Sequence, residues 1–377
     1  MGEFEIRRPK VAILTIVSVN NFGAILQAYS LSEAFLERGC DCELLRYTDR
    51  GRLYSMGYVL KNTTWKSRIS AVACMPFRFR KFRKGRRFQK KRMHFSQLLN
   101  TKERLAQANS EYDIFVSGSD QVWNCAIMGN STLLFQDFVK QGYKKCSYAA
   151  SFGKNGTVNE QMREKIKQPL SEFRVLSIRE EEGVHFVRDL IGREAERTPD
   201  PVFLRTGAEW KKLARLPKEK KPYIFVSAIR GVSDSMKALC EEIRERTGWE
   251  IVVYQPFLHR SMRGKYVLGI GPEEFLGYLI AAEWVVTDSF HTTAFCILFH
   301  KNFWSFFGKK KLKKDARLEG LMKIFHLEQR LTYDGKLEDP LSSIDYSGTE
   351  GILSREREKG WKVIDQILEG IELAQTV

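Results

Sequence analysis

The segment with the strongest chemical signal is residues 285–295, VVTDSFHTTAF, where an apolar strand gives way to polar residues and then to a helix. Ligands of open α/β sheets bind beyond the carboxyl ends of strands. His291 falls at the predicted helix start, where free N–H groups and the helix dipole favour an anion, and it can exchange a proton there. The alternative is a capping cluster, in which Asp288 or Ser289 closes the helix and His291 is merely packed.

A second polar segment, residues 115–124 (FVSGSDQVWN), also follows a predicted strand. Gly118 allows close approach of the backbone to a ligand. The neighbouring polar side chains can hydrogen-bond hydroxyl or phosphate groups; they are Ser117, Ser119, Asp120 and Gln121. The alternative is an ordinary turn closed by its own Asp or Ser side chain.

The third segment is NNFGA, residues 20–24, after the first predicted strand. Asn21 and Gly23 suit an anion site or an acceptor-sugar site. The segment lacks the GxGxxG fingerprint, so it does not indicate a dinucleotide. A capped turn between a strand and a helix is the alternative.

Arg179 is the leading candidate for binding an anionic group. It follows a predicted strand in SIREEEG, residues 177–183, and its guanidinium can fork onto a carboxylate or phosphate. The alternative is an ion pair with a neighbouring glutamate. Arg230 and Arg317 are weaker candidates of the same kind. The Asp200-Pro201 pair is predicted to fix a turn rather than to act in catalysis.

The elements that must position these residues alternate along the chain, which predicts parallel sheets with right-handed crossovers. Apolar runs predict strands at 11–17, 43–47, 113–116, 145–150, 175–178, 223–227, 250–254 and 284–287. Helical patterns include a first helix closed by Gly39, then 161–173, 234–246, a start at 271, 292–299 and 354–374.

Three prolines and many charges between residues 195 and 220 indicate a boundary between two lobes. We therefore expect a first lobe at 1–195 with a basic, mostly helical excursion at 50–110. A second lobe is expected at 196–350, followed by a C-terminal helix at 351–377 that returns to the first lobe.

Composition agrees with a folded protein of two domains: 377 residues, 43% hydrophobic and 29% charged. The seven cysteines are odd in number and form no CxxC pair, so reduced thiols are expected rather than disulfides or a zinc site. The apolar run Val11–Val17 is too short for a signal peptide, and no run approaches the roughly 20 residues that cross a bilayer. We expect a cytoplasmic protein.

The net charge of +16 is concentrated in two places. Residues 78–92 contain ten Lys or Arg and no acid, and five lysines lie within 309–314. Such patches attract phosphorylated substrates, acidic lipids or nucleic acid. Phe79, Phe82 and Phe88 interleave with the cations, which suits a helix on anionic lipid at the inner face of the membrane. The alternative is a solvated helix whose phenylalanines pack on the lobe.

The four polar segments occur in order with YAASFG (148–153), DPVFL (200–204) and GPEEFL (271–276). In this combination, from about residue 11 to residue 330, the sequence resembles the polysaccharide pyruvyl transferase family. The resemblance implies two Rossmann-like lobes with a GT-B-like arrangement and a site in the cleft between them. It implies transfer of the enolpyruvyl group of phosphoenolpyruvate to a sugar or lipid-linked glycan, usually closing a cyclic ketal, with no metal or organic cofactor.

The resemblance also implies roles for single residues. His291 matches the family histidine and is the implied general acid/base, and Arg179 matches a family arginine and is the implied donor ligand. Arg317 is a further anion contact. Many family members carry arginine two residues before this histidine, where this chain has Ser289. The missing charge would then come from Arg179, Arg230, Arg317 or the lysines of 309–314.

Two other functions fit part of the pattern. A glycosyltransferase using a nucleotide sugar would share the architecture, although the second lobe offers no clear acid to bind a ribose. A non-enzymatic binder of anionic polymers would use residues 78–92, but no nucleic-acid-binding motif accompanies the charge. Nucleic acid is therefore not expected as a partner.

Overall fold

The computed structural model describes residues 7–17, 21–47, 75–128, 131–153, 158–218, 221–255, 261–307, 315–333 and 337–375. The lysine cluster at 309–314 and residues 50–74 of the predicted excursion lie outside the described residues.

The first lobe is built on a sheet of five parallel strands in the order β3-β2-β1-β4-β5. The strands are β1 (Lys10–Leu14), β2 (Asp41–Tyr47), β3 (Phe95–Leu99), β4 (Ile114–Ser117) and β5 (Lys145–Ser147). The chain winds outward from β1 in both directions, so β1 and β4 border a topological switch point where ligands bind. Two short paired strands, β6 (Ser177–Ile178) and β7 (Glu196–Arg197), continue this side through a bridge between Ala150 and Ile178.

The second lobe repeats the same winding with six parallel strands in the order β10-β9-β8-β11-β12-β13. They are β8 (Tyr223–Ser227), β9 (Glu250–Tyr254), β10 (Lys265–Tyr266), β11 (Trp284–Thr287), β12 (Asn302–Phe306) and β13 (Leu331–Thr332). Its switch point lies between β8 and β11. The expected two Rossmann-like lobes are therefore confirmed.

The helices of the first lobe and of the passage to the second are α1 (Phe22–Glu37), α2 (Met75–Arg92), α3 (Lys102–Glu111), α4 (Cys125–Met128), α5 (Glu160–Ser171), α6 (Glu181–Ile191) and α7 (Gly207–Leu213). The later helices are α8 (Asp234–Thr247), α9 (Pro272–Ala281), α10 (Phe290–Leu298), α11 (Ala316–Ile324) and α12 (Thr349–Gln375). Gly39, just beyond the α1 cap, has φ 77°, the left-handed conformation predicted for it. None of these helices in the described ranges is both long and apolar enough to span a bilayer.

Helices α1 and α10 form the centre of the molecule. All nine residues of α10 are buried, and α1 is buried from Phe22 through Ser32. A helix that is apolar around its whole circumference must be covered on every side. The 3₁₀ turn Pro201–Leu204 packs against both helices, and one continuous apolar cluster runs through the two lobes. Two further clusters cover the outer faces of the sheets.

Two parts of the chain beyond residue 195 pack on the first lobe. Strand β7 pairs with β6, so residues 196–197 lie with the first lobe. Helix α12 lies on the first lobe as well. Arg174 donates to the carbonyls of Gln366 and Ile367 at 3.0 and 2.6 Å, and Arg197 pairs with Glu356 at 2.6 Å.

The basic helix α2 is fixed to the molecule along one stripe. The ammonium of Lys81 donates to the Tyr254 hydroxyl at 2.9 Å and lies 4.8 Å from the centre of the Phe22 ring. Lys84 pairs with Glu274 at 2.6 Å, while the Phe88 ring packs edge-on against Tyr29 with centroids 5.5 Å apart. Helix α2 therefore contacts both lobes.

Lys81 is expected to make the free energy of unfolding of the protein change with pH in the alkaline range. Burial, aided by the charge of Arg78, lowers the pKa of Lys81 from 10.5 to about 8, and burial raises the pKa of Tyr254, which stays a neutral acceptor. At pH values between about 8 and 10.5, Lys81 is protonated in the unfolded chain but not in the folded chain. Folding therefore becomes more favourable as pH rises through this range. Lys81→Met should be more stable than the parent near pH 7, with an advantage that shrinks towards pH 10.

Thermal unfolding of the parent and the variant across this pH range is the measurement. Lys221→Met is the matched control, because the Lys221 side chain is 75% exposed. A constant difference between the parent and Lys81→Met at every pH would contradict the prediction.

Candidate active site

His291 stands at the start of α10, beyond the carboxyl end of β11. Ser289 is the N-cap of this helix, and its hydroxyl accepts a hydrogen bond from the Thr292 N–H at 3.3 Å. Asp288 accepts from the backbone N–H groups of Ile229 and Arg230 at 2.6 and 2.9 Å, which fixes the turn after β8. Ser289 thus caps the helix and Asp288 holds the neighbouring turn, while His291 faces the first lobe.

The imidazole of His291 is enclosed by residues of both lobes and is only 7% exposed. Its Nε2 lies 3.5 Å from Oδ2 of Asp200, and its ring stands edge-on to Phe290 with centroids 5.2 Å apart. Gly23, in the first turn of α1, leaves the space that the ring fills: a Cβ at Gly23 would lie 2.2 Å from Nδ1. The N-termini of α1 and α10 therefore meet at this histidine.

Asp200 is the centre of the polar cluster, and its carboxylate is fully buried. Its Oδ2 accepts from Arg179 Nη1 at 2.7 Å and from the Ser119 hydroxyl at 3.0 Å, while Oδ1 accepts from the Val202 N–H at 3.1 Å. Burial by itself would raise the pKa of this carboxyl, but His291 and then Arg179 outweigh burial and hold the pKa well below its usual value. Asp200 is therefore an anion that ties three segments of the chain together.

Arg179 is held between two carboxylates. Its Nε donates to Glu180 Oε1 at 2.9 Å, and the guanidinium carbon lies 4.6 Å from the centre of the Phe290 ring. Burial opposes its charge, but Glu180 and Asp200 raise the pKa of Arg179 overall. Burial raises the pKa of Glu180, whose Oε1 also accepts from the Ser151 hydroxyl at 2.6 Å. The ion pair with a neighbouring glutamate, the simpler interpretation of Arg179, is thus present.

Three buried polar atoms of this cluster lack a hydrogen-bond partner among the described residues: Arg179 Nη2, Glu180 Oε2 and His291 Nε2. A buried donor or acceptor left unpaired costs about 1–3 kcal/mol, so native proteins leave few of them. Their concentration at one point is typical of a site that exchanges a ligand or water.

Arg230 and Arg317 form a second, cationic group on the second lobe. Arg317 donates to both oxygens of Asp315 at 3.0 and 2.9 Å, and Arg230 reaches one of them at 3.0 Å. Burial would raise the pKa of Asp315, but Arg317 and Arg230 lower it to about 2. Two guanidinium groups therefore share the carboxylate of Asp315, and the charge of Arg230 also acts on the carboxylate of Asp288. The charge of Arg317 also acts on Glu180, so this group lies towards the Arg179 cluster.

Some residues of the polar segment around Gly118 pack inside the first lobe, and others contact the site. Ser117 donates to the Leu134 carbonyl at 2.6 Å, and a Cβ at Gly118 would lie 2.8 Å from the Leu31 side chain. Both residues are enclosed within the first lobe, so substrate binding, which the sequence suggested for them, does not fit their positions. Ser119 contacts Asp200, and Asp120 is near enough for its charge to help raise the pKa of Arg179.

Two other predicted contacts are engaged locally. Asn21 caps α1 through the Ala24 N–H at 3.3 Å, and Gln121 accepts from the Asn124 amide at 2.6 Å. Asp200, in contrast, is more than the turn residue that the sequence indicated. It does fix the turn through Val202, but its second oxygen organises the site.

Gly23→Ala is expected to lower turnover at least about tenfold, because the new methyl group would occupy the place of the His291 ring. The new Cβ would also lie 2.8 Å from the Cβ of His291, so overpacking should lower stability by about 1–3 kcal/mol as well. Gly320→Ala, in α11, is the control, because a Cβ there meets no atom within 4 Å. Steady-state kinetics and thermal unfolding of both variants test this, and undiminished turnover in Gly23→Ala would contradict it.

Two Rossmann-like lobes, joined by a shared core and facing each other across His291, define the GT-B-like class of fold. Solved structures of UDP-GlcNAc 2-epimerases share it. The enzyme from Methanocaldococcus jannaschii is 11% identical with a TM-score of 0.50, and the alignment covers 96% of this chain and 99% of that one. The enzyme from Neisseria meningitidis, bound to UDP-GlcNAc, is 8% identical with a TM-score of 0.50 over 96% and 99%. Such low identity shows the fold alone.

The family described as "Polysaccharide pyruvyl transferase" matches residues 21–306. The chain belongs to this family, which confirms the resemblance seen in the sequence. No curated protein matches the chain.

Proposed function

We propose that the protein transfers the enolpyruvyl group of phosphoenolpyruvate to a sugar of a cell-surface polysaccharide precursor, and that it closes a pyruvate ketal on two sugar hydroxyls. Membership of a transferase family supports the reaction class. The observation that carries the proposal is the meeting of His291 with Asp200 and Arg179 at two helix N-termini.

The proposed reaction needs a proton donor and two binding sites for negative charge. A proton adds to the methylene carbon of phosphoenolpyruvate, which becomes a methyl group, and the first sugar hydroxyl bonds to the central carbon. The bond from that carbon to the phosphate oxygen then breaks, and the second hydroxyl takes its place. One hydroxyl proton ends on the methyl group and the other on phosphate, so the products are the ketal and inorganic phosphate.

His291 is the proposed proton carrier, because it lies at the junction of the lobes and an imidazole can serve as either acid or base. Asp200 does not contribute a proton in this proposal. It remains ionised, holds the Arg179 guanidinium through a hydrogen bond, and lies close enough to attract the imidazole when that ring carries a proton. Its 3.5 Å distance from Nε2 suits a positioning role.

The negative charges of the donor require cations and N–H groups. Arg179 Nη2 is the buried donor that is left without a partner in the described cluster. Arg230 and Arg317 are cations on the second lobe, and the side chain of Arg230 is 41% exposed. The first turns of α1 and α10 add helix N-termini, which favour phosphate and carboxylate groups. This set replaces the arginine that family members carry at the position of Ser289.

The experiment is incubation with phosphoenolpyruvate and a panel of glycan acceptors, followed by mass spectrometry and a phosphate assay. The expected result is a gain equal to one pyruvate ketal on at least one acceptor, with one phosphate released per ketal. Parallel reactions receive nucleotide sugars in place of phosphoenolpyruvate. Transfer of a sugar from such a donor, with no product from phosphoenolpyruvate, would replace the proposal by a glycosyltransferase.

A further inference from the structure

The outward face of α2 exposes large apolar side chains. Met75, Phe79 and Phe82 are 50%, 62% and 47% exposed, and their spacing places them on one side of the helix. Phe77, on the same two turns, is 42% exposed. Half of the large apolar side chains that are exposed in the described part of the chain therefore belong to the start of one helix. Contiguous apolar exposure of this kind marks an interaction surface.

The same face is strongly cationic. Exposed basic residues surround the apolar side chains and extend beyond them along the helix, and no acid lies between residues 78 and 92. The exposed basic residues are Arg80, Arg83, Arg86, Arg87, Lys90 and Lys91. Arg83 lies over the Phe79 ring at 5.9 Å. Apolar and cationic groups are thus interleaved rather than separated.

The opposite stripe of α2 is already occupied. Lys81, Gly85, Phe88 and Gln89 are its buried residues. Of the three phenylalanines that the sequence placed among the cations, only Phe88 packs on the lobe, and Phe79 and Phe82 face solvent. The ion pair of Lys84 with Glu274 adds to the contacts that hold the helix in this orientation, with its other face outward.

We propose that this face of α2 docks on an anionic lipid bilayer. Phe79, Phe82 and Met75 would enter the boundary between headgroups and acyl chains, and the basic residues would contact the lipid phosphates. Lipid fits better than nucleic acid, because three apolar side chains line up where insertion of a helix face needs them, whereas charge alone would suffice for a polyanion.

The inner stripe of α2, opposite the docked face, lies close to the candidate active site. The ammonium of Lys81, on this inner stripe, lies 4.8 Å from the centre of the Phe22 ring. Gly23, which follows Phe22 in the chain, contacts His291. If the proposed function holds, this closeness would bring a lipid-linked acceptor towards His291. Docking itself does not depend on that function.

The test is co-sedimentation of the full chain with two kinds of vesicle: phosphatidylcholine alone, and an equimolar mixture of phosphatidylcholine and phosphatidylglycerol. Binding to the mixed vesicles should be at least about tenfold tighter, and added salt should weaken it. Phe79→Ser/Phe82→Ser should weaken binding to mixed vesicles at least about tenfold. Arg83→Gln/Arg87→Gln should weaken it and reduce its dependence on salt.

The matched control is Leu216→Ser/Tyr143→Ser, because these side chains are 62% and 47% exposed, like Phe79 and Phe82. This control should bind as the parent does, and thermal unfolding should show that all variants are folded. Equal loss in the control, equal binding to neutral vesicles, or binding of RNA without binding of vesicles would each overturn the proposal. Vesicle binding without pyruvyl transfer would reject the proposed function and leave docking standing.

Discussion

Replacing His291 with asparagine is expected to lower the rate of phosphate release from phosphoenolpyruvate about 10²- to 10⁴-fold, the usual contribution of a positioned acid or base. Asparagine is close in size to histidine but cannot carry the proton. The ring is enclosed by both lobes, so water has little access from which to replace it. The loss should fall on kcat, while KM for phosphoenolpyruvate changes little, because the donor's charges are bound by other groups.

His300→Asn is the matched control. His300 lies in the second lobe beyond α10, pairs with Glu350 at 3.1 Å, and has φ 53°, a conformation that asparagine tolerates well. Its activity should equal that of the parent. Retention of turnover within about threefold in His291→Asn would remove His291 from the proton-transfer step.

Asp200→Asn is expected to reduce both stability and turnover. The substitution takes the negative charge from beside Arg179, whose guanidinium would stay buried with Glu180 as its remaining carboxylate. Breaking a buried ion pair in this way costs about 3–5 kcal/mol. Because the same oxygen lies beside His291, the imidazole should also lose its fixed position, and kcat should fall.

The pH dependence gives an independent readout for Asp200. The pKa of this carboxyl is lowered from 3.8 on folding, so its contribution to stability is complete near neutral pH. That contribution is lost as pH falls from 3.8, the pKa of the carboxyl in the unfolded chain, towards its lower pKa in the folded chain. The stability difference between the parent and Asp200→Asn should therefore narrow in acid, as measured by denaturant unfolding at neutral and acidic pH.

Glu356→Gln is the control that separates structure from catalysis. Glu356 is buried and pairs with Arg197 through both carboxylate oxygens at 2.6 Å, where α12 meets the first lobe. This variant should lose stability but keep the turnover of its folded fraction. If Asp200→Asn behaves in the same way, Asp200 is a structural residue with no part in positioning His291.

The fold could be predicted from the sequence because strand and helix patterns alternate clearly. The run VVTDSFHTTAF contains a buried strand, a cap and an apolar helix, and it places His291 at a sheet edge before any coordinates are known. The position of His291 could thus be predicted from local pattern alone.

The contacts that Asp200 makes with His291, Arg179 and Ser119 could not be predicted in this way, because these residues are distant in the chain. Ser119, Arg179 and Asp200 meet only when β4, β6 and the turn after β7 are assembled. Tertiary packing decides which carboxylates a buried arginine meets, so the sequence offered the pair of Arg179 with a neighbouring glutamate but not its pair with Asp200. One signal in the sequence could have separated Ser117 from Ser119. Ser117 is the last residue of β4, whereas Ser119 lies beyond the carboxyl end of the strand, where ligand sites are expected.

Because α12 lies on the first lobe, the polypeptide passes from one lobe to the other twice. The outward passage runs through Trp210, whose ring meets Tyr29 of the first lobe and Phe295 of the second. The return runs from Tyr346, bonded to the Lys301 carbonyl, to Glu356 on Arg197. Together with the apolar core that runs through both lobes, these two passages resist displacement of one lobe relative to the other, and so keep His291 of the second lobe beside Asp200.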